Sequence, residues 1–184
     1  MKNNTCQNVI KERRSTRAFE NCEISKAEIL EILEAARLAP SAKNRQPWSF
    51  YVLENEEKEF AVNKLVEALK KNNTEATGLA SANIMTQADK VVLVFMDRVF
   101  EERKVVDLLS VGAAIENMLL RATEMDIQSL WMYDICVIAD ELEKLAGTDK
   151  MLVSGVCFGK GDTSSKRAVK KDLNSIILNK NWKE

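Results

Sequence analysis

Not one of the 184 residues is a histidine. That absence excludes Ser-His-Asp and Cys-His catalysis and removes the commonest zinc ligand, so any chemistry points to a bound cofactor. Long apolar runs are also missing. None approaches the ~20 residues that span a bilayer, and the start, Met1 to Asn8, lacks the apolar block of a secretory signal. A cytoplasmic location, with no membrane partner, is the expectation. No charge of one sign dominates either: 27 basic against 28 acidic residues leave a net charge of −1. The chain as a whole therefore has no pull toward nucleic acid or an anionic surface, and an anion site must be local, built from a few placed Arg and Lys side chains.

Cysteine is sparse, and Cys6, Cys22, Cys136 and Cys157 form no CxxC pair. They are expected to be reduced and structural, Cys136 and Cys157 lying among apolar neighbours. There is no GxGxxG, so a Rossmann dinucleotide site has no support. Gly155-Val156-Cys157-Phe158-Gly159-Lys160-Gly161 falls short of a P-loop, with one residue too few between its first glycines and Gly161 where Ser or Thr should stand.

What is present is the balance of a globular chain, 46% apolar and 30% charged. A short helix is expected from Thr5 to Glu12, centred on Val9. Ser25 and Glu28 fit a capping box that opens a helix with Ile29, Leu30, Ile32, Leu33, Ala36 and Leu38 on its apolar face, stopped by Pro40. Pro47 opens a strand, Trp48 to Leu53. Asn55 starts a helix to Leu69, with Phe60, Val62, Leu65, Val66 and Leu69 on one side, and a weaker helical stretch covers Thr74 to Ala88. Val91 to Met96 is a continuous apolar run of strand length and reads as a central strand. The longest helix is expected over Val105 to Met125, made unusually small on one side by Gly112-Ala113-Ala114. A strand at Gln128 to Tyr133, a helix at Asp140 to Ala146 closed by Gly147, and a strand at Met151 to Phe158 follow. After Gly159 the chain turns basic, and its late apolar residues Leu173, Ile176, Ile177, Leu178 and Trp182 need a surface to bury against. That surface is either this chain's own domain or a second subunit. The pattern is α+β, a central mixed sheet flanked by helices.

Two segments could carry chemistry. In Arg13-Arg14-Ser15-Thr16-Arg17, an extended backbone projects Arg13, Ser15 and Arg17 to one side, and two guanidinium groups with a hydroxyl suit a phosphate. The same residues also read as an exposed basic turn neutralised by Glu12 and Glu20. Ala39-Pro40-Ser41-Ala42-Lys43-Asn44-Arg45-Gln46-Pro47-Trp48 is a polar loop fixed at both ends by proline. Ser41, Asn44 and Gln46 there suit the edge of a heteroaromatic ring, or simply make a connector.

Taken in order, Arg-Arg-Ser-x-Arg-x-Phe, a helix, and Ala-Pro-Ser-x-x-Asn-x-Gln-Pro-Trp leading into a strand resemble the opening of the nitroreductase family. The likeness continues through Ser110 to Ala122, Ser129-Leu130-Trp131-Met132 and Val153 to Gly159, and so covers most of the chain. The resemblance implies residues 1–184 as one FMN-binding domain, with 160–184 a C-terminal arm exchanged in a homodimer. It implies FMN in a pocket shared by two subunits. Arg13, Arg14 and Ser15 match positions at the phosphate and ribityl chain, and Arg17 a cation near the pyrimidine end, where reduced flavin is negative. Pro40, Ser41, Ala42 and Asn44 match the stretch given by the other subunit, and Asn83 matches an amide at the ring. Arg167 and Lys170 are candidates for the basic pair this family carries near its C-terminus, and they also fit a solvated tail.

The activity implied is ping-pong transfer of hydride from NADH or NADPH, through flavin N5, to electron-poor small molecules such as nitroaromatics and quinones. A regulatory flavin-binding protein, or a reductase with a narrow acceptor such as an enone or halogenated aromatic, would carry the same motifs. No side chain stands out as a proton donor. Asp126 stands where the family commonly has glycine, a change expected to bear only on a helix end.

Overall fold

The computed structural model describes residues 5–71, 75–161 and 168–183. Helix α1, Cys6–Glu12, is capped by the Thr5 hydroxyl and buries Val9. The two-residue strand β1, Phe19–Glu20, leads to α2, Lys26–Arg37, where the Ser25–Glu28 capping box forms in full. A turn of 3-10 helix at Ala42–Asn44 precedes β2, Trp48–Leu53. Helices α3, Asn55–Lys71, and α4, Glu75–Gln87, lead to β3, Lys90–Met96. The 24-residue α5, Glu101–Glu124, is followed by β4, Gln128–Met132, a 3-10 segment at Asp134–Ile138, α6, Ala139–Leu145, and β5, Met151–Gly161. The tail holds the single turn α7, Leu173–Ile176.

Strand β3 is central, as its sequence requires. It pairs with β2 on one edge and β5 on the other, both antiparallel. The 11-residue β5 also pairs with β4 and, at its C-terminal end, with β1. It runs three residues beyond the expected end at Phe158, so the glycine-rich run weighed as a phosphate loop lies inside a strand. All pairings between these strands are antiparallel. The parallel part of the sheet is the bridge between Ser15 and Ser129.

Side-chain alternation along β3 explains its unbroken apolar run, because both faces of the sheet are covered. Val91, Leu93 and Phe95 join a core with Ala61 and Leu65 of α3, Met85 of α4 and Leu142 of α6. Val92, Val94 and Met96 face the other way, onto Ile29, Ile32 and Ala36 of α2 and Val111, Ile115 and Met118 of α5. The sheet therefore lies between two helical layers. Within the expected faces, Leu30, Leu38 and Phe60 stay exposed. Leu38 has left the helix as its C-cap, and the Phe60 ring lies under Lys64 Nζ at 5.9 Å.

Where α5 ends, Asp126 adopts φ 59°. Ile127 N–H donates to Ala122 O at 2.8 Å and Asp126 N–H to Thr123 O at 3.1 Å, the two bonds of a Schellman cap. Aspartate occupies a left-handed position that glycine fills without strain. Gly161 is required for another reason: a Cβ there would stand 2.4 Å from Ala18 O, so glycine lets the end of β5 lie against the chain entering β1.

The described part of the tail, residues 168–183, leaves most of its apolar side chains off this core. Val169, Leu173, Ile176, Leu178 and Trp182 are all exposed, and Ile177 is half-buried. Among the described residues no helix is long and apolar enough to cross a membrane.

Candidate functional site

The Arg13–Arg17 segment leaves α1 as extended chain. Ser15 bridges to Ser129, and Thr16 N–H donates to Ser129 O at 2.9 Å, so the segment docks beside β4 as an added edge. Thr16 is buried while Ser15 and Arg17 are exposed, the alternation expected of an extended backbone. Arg13 departs from that pattern. It is half-buried, with Nε 3.1 Å from Oε1 of Glu116 on α5. Its partner is neither Glu12 nor Glu20, because the docking of α1 on α5 sets the pairing. Arg14 is half-buried as well. Arg17 Nη1 donates to Ser15 O at 3.3 Å, and among the described residues no carboxylate neutralises it.

The Ser41–Gln46 loop is the most strained stretch among the described residues. Lys43, Asn44 and Gln46 have φ of 53°, 53° and 49°, and none is glycine. Residues held in this left-handed region cost on the order of 1–3 kcal/mol each, less for asparagine, and such strain collects at ligand sites. Local bonds hold part of the shape: Gln46 N–H donates to Ser41 Oγ at 2.9 Å and Asn44 N–H to Ser41 O at 2.9 Å. Ser41 thus spends an acceptor and keeps its hydroxyl proton for another partner. The rest of the support comes from α5. Ala42 N–H donates to Ser110 Oγ at 3.4 Å, and Arg45 places Nη2 and Nε 2.5 and 3.1 Å from Oδ1 of Asp107. Asp107 is fully buried and takes Arg103 Nη2 on its other oxygen at 3.2 Å. The Lys43, Asn44 and Gln46 side chains consequently point outward.

The remaining predicted residues fall as follows. Pro40 is exposed and Ala42 half-buried at the mouth of the loop. Asn83 is exposed on α4, in the opposite helical layer from α5. It sits one turn before Gln87, whose side chain accepts Phe19 N–H at 3.0 Å, so Asn83 shares the face of α4 that meets β1. Lys170 is exposed in the tail, and Arg167 lies outside the described residues. Within one chain, the basic segment and the strained loop are seated on different stretches of α5, at Glu116 and at Asp107–Ser110.

Burial pushes the Cys157 thiol up to about 12 and Cys136 to about 11, in the latter case with added repulsion from Asp134. Neither is a thiolate at neutral pH, so neither is a ready nucleophile.

Sequence reasoning missed Arg45, Asp107, Ser110 and Glu116. One signal was available for Asp107: it stands four residues before Val111 and seven before Ala114, so the helical period puts a lone carboxylate on the core face. A charge in that position requires a partner.

Known proteins share the sequence pattern and the fold. A protein of Archaeoglobus fulgidus described as an NADH dehydrogenase/NAD(P)H nitroreductase is 35% identical over 127 residues, which are 69% of this chain and 66% of that relative. The chain thus spans about two thirds of that relative's length. A solved protein of Desulfovibrio desulfuricans, described as a nitroreductase in complex with FMN, superposes with a TM-score of 0.79 at 25% identity, covering 96% of both chains. The FMN-dependent nitroreductase of Mycobacterium smegmatis solved with NADPH shares the fold, with a TM-score of 0.81 at 20% identity over 93% of this chain and 96% of that one. The family model for the nitroreductase family matches residues 10–160, which include the basic segment, the strained loop and all of the sheet but its last residue, Gly161, and the chain therefore belongs to the nitroreductase family.

Proposed function

We propose that this chain is an FMN-dependent oxidoreductase that moves reducing equivalents from NADH or NADPH to flat, electron-poor acceptors such as nitroaromatics and quinones, by turns at one open site. The observation that carries the reading is the state of the polar atoms in the two family segments. Among the described residues Arg17 faces outward without a carboxylate, Ser15 is exposed beside it, and the strained loop turns Asn44 outward while Ser41 keeps a donor. A cation, hydroxyls and an amide are the donor set that a phosphate and a flavin edge require.

Arg13, Arg14 and Ser15 would hold the phosphate and ribityl chain. Arg17 would place its charge near the pyrimidine end, stabilising negative charge there. Pro40, Ser41, Ala42 and Asn44 would close the pocket from a second subunit, with Asn83 offering an amide to the ring and Arg167 or Lys170 a further cation. FMN, when bound, supplies the hydride and electron chemistry, and the protein supplies position and electrostatics. Among the described residues no side chain stands out as a dedicated proton donor to this site, and in this reading protons come from solvent.

The homodimer is part of this reading. Val105, Val106 and Leu109 lie exposed on α5, next to half-buried Gly112 and Ala113. The tail exposes Leu173, Ile176, Leu178 and Trp182. Apolar groups on one helix and one arm fit an interface in which the arm crosses to the partner.

The test is the visible spectrum of purified protein after FMN addition and desalting. Retained flavin that NADH or NADPH bleaches and a quinone restores is the expected result. A colourless protein overturns the reading, and retained flavin that neither nucleotide bleaches leaves binding without the reductase activity.

A further inference from the structure

The most heavily anchored feature outside the residues already assigned is the link between α5 and the strained loop. Arg45 is the one residue between Lys43 and Gln46 with right-handed backbone angles, φ −71° and ψ −23°. It is also the one whose side chain turns inward, while its neighbours Lys43, Asn44 and Gln46 turn out. Its guanidinium meets a carboxylate with no solvent exposure, through two nitrogens on a single oxygen. Asp107 is 62 residues away in sequence, on α5. Ser110, on the next turn of α5, holds Ala42 N–H.

A buried ion pair is a poor source of net stability, since desolvation offsets most of the attraction. Its better-attested use is to fix one conformation among several. Here the conformation fixed is one that a glycine-free segment would otherwise leave. We propose that Asp107 and Arg45 are positioning residues for the cofactor: the pair, with Ser110, holds residues 42–46 in the strained form that presents Asn44 and Ser41, and so sets FMN affinity. This rests on the flavin reading above. Neither residue touches the ligand in this proposal. They remove the cost of ordering the loop at the moment of binding.

The test compares FMN dissociation constants, measured by quenching of flavin fluorescence, for wild type, Arg45→Gln, Asp107→Asn and the double variant. Amide hydrogen exchange across residues 41–47 and thermal unfolding of each apoprotein are measured alongside. Each single variant is expected to weaken FMN about tenfold or more and to speed exchange in the loop. The double variant should be no weaker than the weaker single one, because the two residues act as a unit. At saturating FMN, the rate at which NADH bleaches the flavin should stay within about twofold of wild type, since the loop once ordered is unchanged. Wild-type affinity in Arg45→Gln, or unchanged loop exchange, overturns the proposal. So does an equal loss of apoprotein stability and flavin affinity, which would make the pair merely structural. If Asp107→Asn does not fold, Arg45→Gln decides alone, its side chain being partly exposed on the loop. A wild-type protein that binds no FMN overturns the flavin reading instead, and the two failures are therefore distinct.

Discussion

Arg13 Nε stands 3.1 Å from Glu116 Oε1, tying the first cation of the basic segment to the middle of α5. Both side chains are partly exposed, so the pair contributes at most about 1 kcal/mol to stability. It also holds a negative charge beside the place proposed for a phosphate. Glu116→Gln is therefore expected to leave the unfolding midpoint nearly unchanged and to tighten FMN binding a few-fold, with a steeper salt dependence, because the site becomes more positive. Titration of flavin fluorescence at two salt concentrations checks this. Weaker binding in the variant would mean that Glu116 aims Arg13 at the phosphate rather than competing for it.

Leu109 is 71% exposed on the outer stripe of α5. As a surface residue of an isolated chain, its replacement by glutamate should change folding stability by no more than about 0.5 kcal/mol. If α5 meets its copy there, Leu109→Glu buries a charge and splits the dimer. Sedimentation should then show the wild type as a dimer and the variant as a monomer that loses flavin on desalting. A variant that remains dimeric with its flavin places the interface elsewhere.

Asp126 caps α5 from a left-handed backbone position, and its side chain is not needed for either Schellman bond. The contact from Lys160 Nζ goes to its backbone carbonyl, which any residue supplies. Asp126→Gly should raise stability by up to about 1 kcal/mol, or about 2–4 °C in Tm for a chain of this size. A fall in Tm on calorimetry would show that the chain entropy added by glycine outweighs the strain removed.

Glu28 is held below the ordinary carboxylate range, first by the Ser25 backbone N–H and then by the Ser25 hydroxyl. A carboxylate with a lowered folded value adds stability that is complete above its unfolded value, about 4.3, and is lost as pH falls through the folded one. Ser25→Ala should cost about 1 kcal/mol at neutral pH. The gap to wild type should narrow as pH falls below about 4.3. Urea melts at pH 7 and at pH 3.5 measure both gaps, and an equal gap at the two values would show that Glu28 takes no part in the cap.

Much of this was written locally. The Ser25–Glu28 box, the run Val91 to Met96, the stop at Gly147 and the apolar period of α5 each declare an element, because propensity and burial period act over one or two turns. The order of the two family segments was equally legible, and with it the expectation of where a cofactor is held. The strain at Lys43, Asn44 and Gln46 was not, because the segment has no glycine to announce a left-handed backbone. Glu116 was missed in favour of Glu12 and Glu20, which are near Arg13 only along the chain.

The amino-acid sequence by itself determined the elements, the two-sided burial of β3 and the residue types available for a phosphate and a ring edge. Only the tertiary structure decided which charge meets which. Arg45 finds Asp107 across 62 residues because α2 and α5 pack on one face of the sheet, and Arg13 finds Glu116 because α1 docks on α5. Periodicity says that a side chain faces inward, but the partner waiting there depends on how distant elements pack, and that pairing holds the loop in its strained form.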